Sequence, residues 1–261
     1  MRGIGVLAGL GSTMLIAGMV ACSSKAPSSS PGQSSSPSGS IVVFAAASLK
    51  AAFTQLGQQF KTDNPGSGVE FDFAGSAELA TQLTQGASAD VFASADTAQM
   101  DTVVRAGLLA DNPQNFAANT LVIVTAPGNP KSIGSFADLA KPGVNVVICQ
   151  QPVPCGAATQ RIEDSTGVHL NPVSEEPSVT DVLNKVTTGQ ADAALVYVTD
   201  AKNAKDKVAT VNFPAAAGAV NVYPIGVLKK ARQPATAQKF VTLVTSDAGQ
   251  KILAQYGFAK P

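Results

Sequence analysis

Two serines and two short turns hold the chemistry legible in this sequence. Ser48 follows Ala45-Ala46-Ala47 and the apolar, β-branched run Ile41-Val42-Val43-Phe44. Ser76 follows Ala74-Gly75 and the alternating run Val69-Glu70-Phe71-Asp72-Phe73. Each reads as strand, small residues, Ser, helix. Pro154-Cys155-Gly156 makes a similar junction after a β-branched run, and Ser178-Val179-Thr180-Asp181 has the form of a capping box. A helix N-terminus offers free N–H groups and the positive end of a dipole, a site for an anion. None of these junctions contains Lys or Arg. Neutral donors suit a small, fully ionised oxyanion, whereas a phosphate that keeps a proton would want a carboxylate acceptor. Taken singly, Ser48 and Ser76 also read as plain helix N-caps. Tyr197 stands near the C-terminal end of the apolar run 193–198, where ligands of α/β sheets bind.

Other chemistries are poorly supplied. The chain has one histidine, His169, in a Gly-Val-His-Leu-Asn-Pro turn that reads as a surface loop. Neither a Ser-His-Asp relay nor a zinc site can be assembled around it. Ser48 and Ser76 do not sit in a Gly-x-Ser-x-Gly elbow. An enzyme is therefore not expected, nor a cofactor. The 18 basic and 18 acidic residues balance without a basic patch, which argues against a nucleic-acid partner.

The elements that must position these residues follow from the chain in order. Segment 1–21 has Arg2 as its sole charge and an apolar body, and reads as a secretory signal peptide. Val20-Ala21-Cys22 then places Cys22 where a lipidated cysteine would be left, although Met19 replaces the usual Leu. Residues 22–40 are almost all Ser, Pro and Gly, a tether that cannot bury enough to fold. Without Arg2 the mature chain carries 17 − 18 = −1. With Cys22 set aside, Cys149 and Cys155 form an even pair in an exported protein and are expected to be disulfide-bonded, two free buried thiols being the alternative. Residues 41–261 alternate strands and helices and are long enough for two α/β lobes. Strands are expected at 41–44, 69–73, 90–95, 121–125, 144–149, 193–198 and 221–228. Helices are expected at 49–60, 77–83, from Asp96, at 157–164, after Ser178, and from Pro234 to about Tyr256.

Phe44-Ala45-Ala46-Ala47-Ser48-Leu49, Phe73-Ala74-Gly75-Ser76, the run from Ala89 to Asp96, Val153-Pro154-Cys155-Gly156 and the run from Ala191 to Ala201 occur in an order and spacing that resembles the periplasmic molybdate-binding proteins of ABC transporters. The resemblance covers 41–261. It implies an α/β, two-lobe periplasmic-binding-protein type II fold with a hinge. Lobe I would be 41–122 and 222–261, lobe II 123–221, with crossings near 121–125 and 221–223. It implies a molybdate (and tungstate) site made by the hydroxyls of Ser48, Ser76 and Tyr197 and the amides of Cys155 and Val179. The family usually has Ala where Cys155 stands; an amide donor tolerates the change. Further implications are a monomer that delivers its ligand to a membrane permease with its ATPase, exported and held on the outer face of the cell membrane by lipid on Cys22. A binding protein for sulfate or another small oxyanion is the rival. Ferric ion would want several tyrosines, and the chain has only Tyr197, Tyr223 and Tyr256.

Overall fold

A computed structural model describes residues 39–261. The signal peptide, Cys22 and nearly all of the tether lie outside the described residues.

In chain order the elements are β1 (Ile41–Ala46), α1 (Lys50–Asp63), β2 (Val69–Ala74), α2 (Ser76–Thr84), β3 (Val91–Ala93), α3 (Thr97–Arg105), β4 (Gln114–Asn119), β5 (Leu121–Thr125), β6 (Val146–Cys149), α4 (Pro154–Thr166), β7 (Ser174–Glu176), α5 (Val179–Thr187), β8 (Ala193–Tyr197), α6 (Val198–Ala204), β9 (Ala209–Val211), β10 (Asn221–Val227), α7 (Pro234–Thr245) and α8 (Asp247–Gln255). They build two five-stranded sheets, ordered β2-β1-β3-β10-β4 and β7-β6-β8-β5-β9. Each is parallel through its first three strands and antiparallel through its last two. This is the type II periplasmic-binding-protein architecture that the sequence implies.

The apolar runs became the inner strands because those are covered on both faces. β1 is paired on both edges and almost wholly buried. Strands β4, β7 and β9 were not expected from the sequence. All three are sheet edges; β7 and β9 are only partly buried, and the buried half of β4, 116–119, is one Phe with Ala and Asn rather than a β-branched run. Helix α4 begins at Pro154 rather than 157; proline suits the first helical turn because its missing N–H would have had no helical partner. The expected terminal helix is two helices, broken at Ser246, whose hydroxyl accepts the Gly249 N–H and caps α8.

The chain passes from the first sheet to the second between Asn119 and Leu121, and returns between Ala219 and Asn221. All of β5 pairs with β8, and Asn221 already pairs with Asn119. The connections are therefore Thr120 and Val220, just before the strands expected to cross. Each sheet has its own core. Phe53 packs against Phe116 and edge-on to Phe240 in the first, and Val124, Leu195, Val182 and Ile162 fill the second. Ala47, which follows β1, is buried within the second sheet's core. The two halves thus touch at the C-terminal end of β1.

Candidate functional site

The C-terminal ends of β1, β2, β6 and β8 face one another across the line where the halves meet. A small cavity there is lined by Ala46, Ala47, Ser48, Gly75, Ser76 and Ala95 from one side, and by Val153, Pro154, Cys155, Val179 and Tyr197 from the other. Every ligand-binding residue expected from the sequence lines it. Ser48, Ser76 and Tyr197 are 4 %, 1 % and 1 % exposed.

The serines are not the helix caps that their positions suggested. Ser48 lies inside a 3-10 turn (Ala47–Leu49) that precedes α1, and neither that turn nor α1 has a side-chain cap. Its Oγ is 3.0 Å from the Tyr223 hydroxyl instead. Ser76 is the first residue of α2, after the cap position Gly75, and its Oγ accepts the Ala95 N–H at 3.0 Å. Short side chains at helix starts usually turn back onto the backbone; here long-range partners win. Ser178 does cap α5, accepting the Asp181 N–H.

The hydroxyl of Tyr197 accepts from Asn221 Nδ2 at 2.7 Å. Complete burial pushes the phenol pKa of both Tyr197 and Tyr223 well above the usual range. Both therefore keep their protons and remain donors at any physiological pH. The oxygens of Ser76 and Tyr197 each receive a protein hydrogen bond, so their protons are left to point elsewhere.

Backbone donors complete the lining. The first helical N–H bond of α4 is made by Ala157 to Val153, and that of α5 by Val182 to Ser178. The amides of Cys155 and Val179 precede these and belong to the outward-facing first turns. Cys149 and Cys155 are joined by a disulfide, with Cα atoms 5.6 Å apart, tying the end of β6 to the first turn of α4. A Cβ on Gly156 would overlap the carbonyl oxygens of Cys149 and Gln150, so only glycine lets this turn fold so closely onto the strand end.

Two carboxyls stand behind the donors. Asp200 accepts the Tyr197 N–H at 3.1 Å, and burial pushes its pKa up to about 7. Asp96 caps α3 through the Gln99 N–H, and burial raises its pKa against the lowering effects of that bond and of Arg161. Neither lines the cavity. Among the described residues no cluster of His, Cys, Asp and Glu is suited to a metal ion, and His169 is exposed in the loop after α4. The sequence reading missed Tyr223, Asn119, Asn221 and Arg161. Asn119 and Asn221 are polar residues at strand ends, Tyr223 lies within β10 and Arg161 within α4, and none of these local settings says which partner the side chain meets.

A family model for bacterial extracellular solute-binding proteins matches residues 41–259. The molybdate-binding protein ModA of Mycobacterium tuberculosis (strain H37Rv) is 68% identical over 261 residues, covering all of both chains. Among solved structures, the Azotobacter vinelandii periplasmic molybdate-binding protein superposes with a TM-score of 0.75 at 21% identity, covering 85% of this chain and 99% of that one. The sulfate-binding protein SubI of M. tuberculosis gives 0.74 at 19% identity, covering 85% and 87%. At those identities the two structures establish the fold alone.

Proposed function

This chain belongs to the bacterial extracellular solute-binding proteins, and on that premise we propose that it captures molybdate, and tungstate with it, for delivery to an ABC permease. It is a carrier: no bond in the ligand is broken. The observation that carries the reading is the cavity's wholly neutral lining, in which the oxygens of Ser76 and Tyr197 already accept protein hydrogen bonds. Such a lining offers protons and asks for none, as a fully ionised dianion requires. Ser48, Ser76 and Tyr197 would donate their hydroxyl protons, and Cys155 and Val179 their amide protons. The serines come from the first sheet and the other three from the second. Only approach of the two halves completes the set, so the ligand favours the closed form. Lobe I is then 41–119 with 221–261, lobe II is 121–219, and the hinge lies where the chain changes sheets, at Thr120 and Val220.

Sulfate is the second reading, because it shares charge and shape with molybdate, and this chain shares its fold with the sulfate-binding protein SubI. Thermal unfolding with molybdate, tungstate and sulfate at equal concentrations decides between them. A ligand at about 100 times its dissociation constant stabilises by roughly 2.7 kcal/mol, which is the rise in stability expected from molybdate. A larger shift from sulfate than from molybdate would overturn the assignment.

The protein is extracytoplasmic, as its family is. We further propose that a lipid on Cys22 holds it at the outer face of the membrane, that the Ser/Pro-rich tether gives it reach, and that it works as a monomer with the permease and its ATPase. Cys22→Ala is expected to move the protein from the membrane fraction to the soluble one. A variant that stays with the membrane would rule out the anchor.

A further inference from the structure

We propose that Asn119 and Asn221 are positioning residues that set the direction of the hydroxyl protons at the cavity. They are the last residue of β4 and the first of β10, and they face each other as a register pair where the chain changes sheets. Both are buried, at 4 % and 2 % exposure. Each side chain reaches from the first sheet into the second half of the molecule.

The amide orientation of each is fixed by partners that have no choice. Asn221 Oδ1 receives Arg161 Nη2 at 2.5 Å, and a guanidinium can only donate. Asn221 Nδ2 reaches the Pro154 carbonyl at 3.1 Å, which can only accept. The same Nδ2 must then donate to the Tyr197 hydroxyl. Asn119 Oδ1 receives the Thr120 N–H at 3.1 Å, which leaves its Nδ2 to donate to Thr199 Oγ1 at 2.9 Å and to the Tyr223 hydroxyl at 3.5 Å.

Proton direction follows. With its oxygen accepting from Asn119, Tyr223 sends its own proton to Ser48, whose proton is left for the cavity. With its oxygen accepting from Asn221, Tyr197 sends its proton either to the cavity or toward Tyr223, whose ring packs edge-on to its own with centroids 6.0 Å apart. The second course feeds the Ser48 relay. Either way each asparagine fills an acceptor position on a tyrosine oxygen, which leaves that hydroxyl's own proton to be given onward. They also place that control at the crossing between the halves. Hinge geometry and ligand preference are thereby linked through the same two side chains.

This inference rests on the oxyanion reading, and a double-mutant cycle separates the two. Molybdate binding is measured by calorimetry on the parent, Asn221→Ala, Tyr197→Phe and the double variant. Thermal unfolding without ligand confirms that each is folded. Tyr197→Phe is expected to weaken binding about 10- to 100-fold, and Asn221→Ala about 3- to 10-fold. The double variant should bind within about twofold of Tyr197→Phe alone, because Asn221 acts through that hydroxyl. Asn119→Ala with Ser48→Ala repeats the test on the other relay, so that misfolding of one variant leaves the other cycle decisive. Losses that multiply in the double variants, or an asparagine variant that binds like the parent, would overturn the positioning role and leave the oxyanion reading standing. A parent that binds no molybdate would overturn both.

Discussion

Ser76→Ala and Ser48→Ala are each expected to weaken molybdate binding about 10- to 100-fold, the worth of roughly 1.5–3 kcal/mol for a hydrogen bond to a charged group. The structure changes what else these substitutions should do. A serine that merely capped its helix would cost about 1 kcal/mol of stability and nothing in binding. Neither hydroxyl caps a helix. Ser76→Ala instead strips the buried Ala95 N–H of its acceptor, and an orphaned buried donor costs about 1–3 kcal/mol. Ser48→Ala leaves the Tyr223 hydroxyl to find another acceptor, with the Tyr197 ring packed beside it, so its cost without ligand should be smaller. Titration calorimetry on the folded variants reads the binding term, and unfolding without ligand reads the other. If both variants bind molybdate within about twofold of the parent, the serines are not ligands.

Legibility in the sequence followed burial and locality. The strand ends and helix starts that build the cavity could be read because each is a local pattern. An apolar run flows through small residues into a helix, as at Val43–Ser48 and at Phe73–Ser76. Such a junction announces its anion-binding character without knowledge of its partners. Strand β4 could not be read: in Gln114-Asn115-Phe116-Ala117-Ala118-Asn119 the buried half, 116–119, is one Phe with Ala and Asn, residues of low strand preference apart from the Phe. What the serine hydroxyls do was equally hidden. Local rules assign them to caps, whereas their partners, Tyr223 and the Ala95 amide, arrive through sheet pairing at long range. The Asn119–Asn221 pair is the clearest case. Nothing near either residue distinguishes it from a turn asparagine until β10 returns beside β4.

Gly75→Ala is expected to weaken molybdate binding without loosening either half of the protein. Gly75 is the cap position of α2, with φ −61° and ψ 137°, a conformation open to alanine. Its backbone is therefore not what demands glycine. A Cβ there would overlap the carbonyl oxygen of Pro177, which precedes the cap of α5 on the opposite side of the cavity, and would touch Val153 beside it. The added methyl can be accommodated only by moving the halves apart, and that separates the serines from Cys155, Val179 and Tyr197. Overpacking a close contact costs about 1–3 kcal/mol, so affinity should fall roughly 5- to 150-fold. Because that strain exists only when the halves meet, unfolding without ligand should change by no more than the few tenths of a kcal/mol that separate small residues at a helix start. Gly218→Ala is the control, since a Cβ there meets nothing within 4 Å. Calorimetry gives the affinities. Small-angle scattering with saturating molybdate gives the second readout: the parent should contract on binding, and Gly75→Ala should contract less. A Gly75→Ala variant that binds as tightly as Gly218→Ala and contracts as fully would show that closure does not bring these two backbones together, and would break the link between the approach of the halves and completion of the donor set.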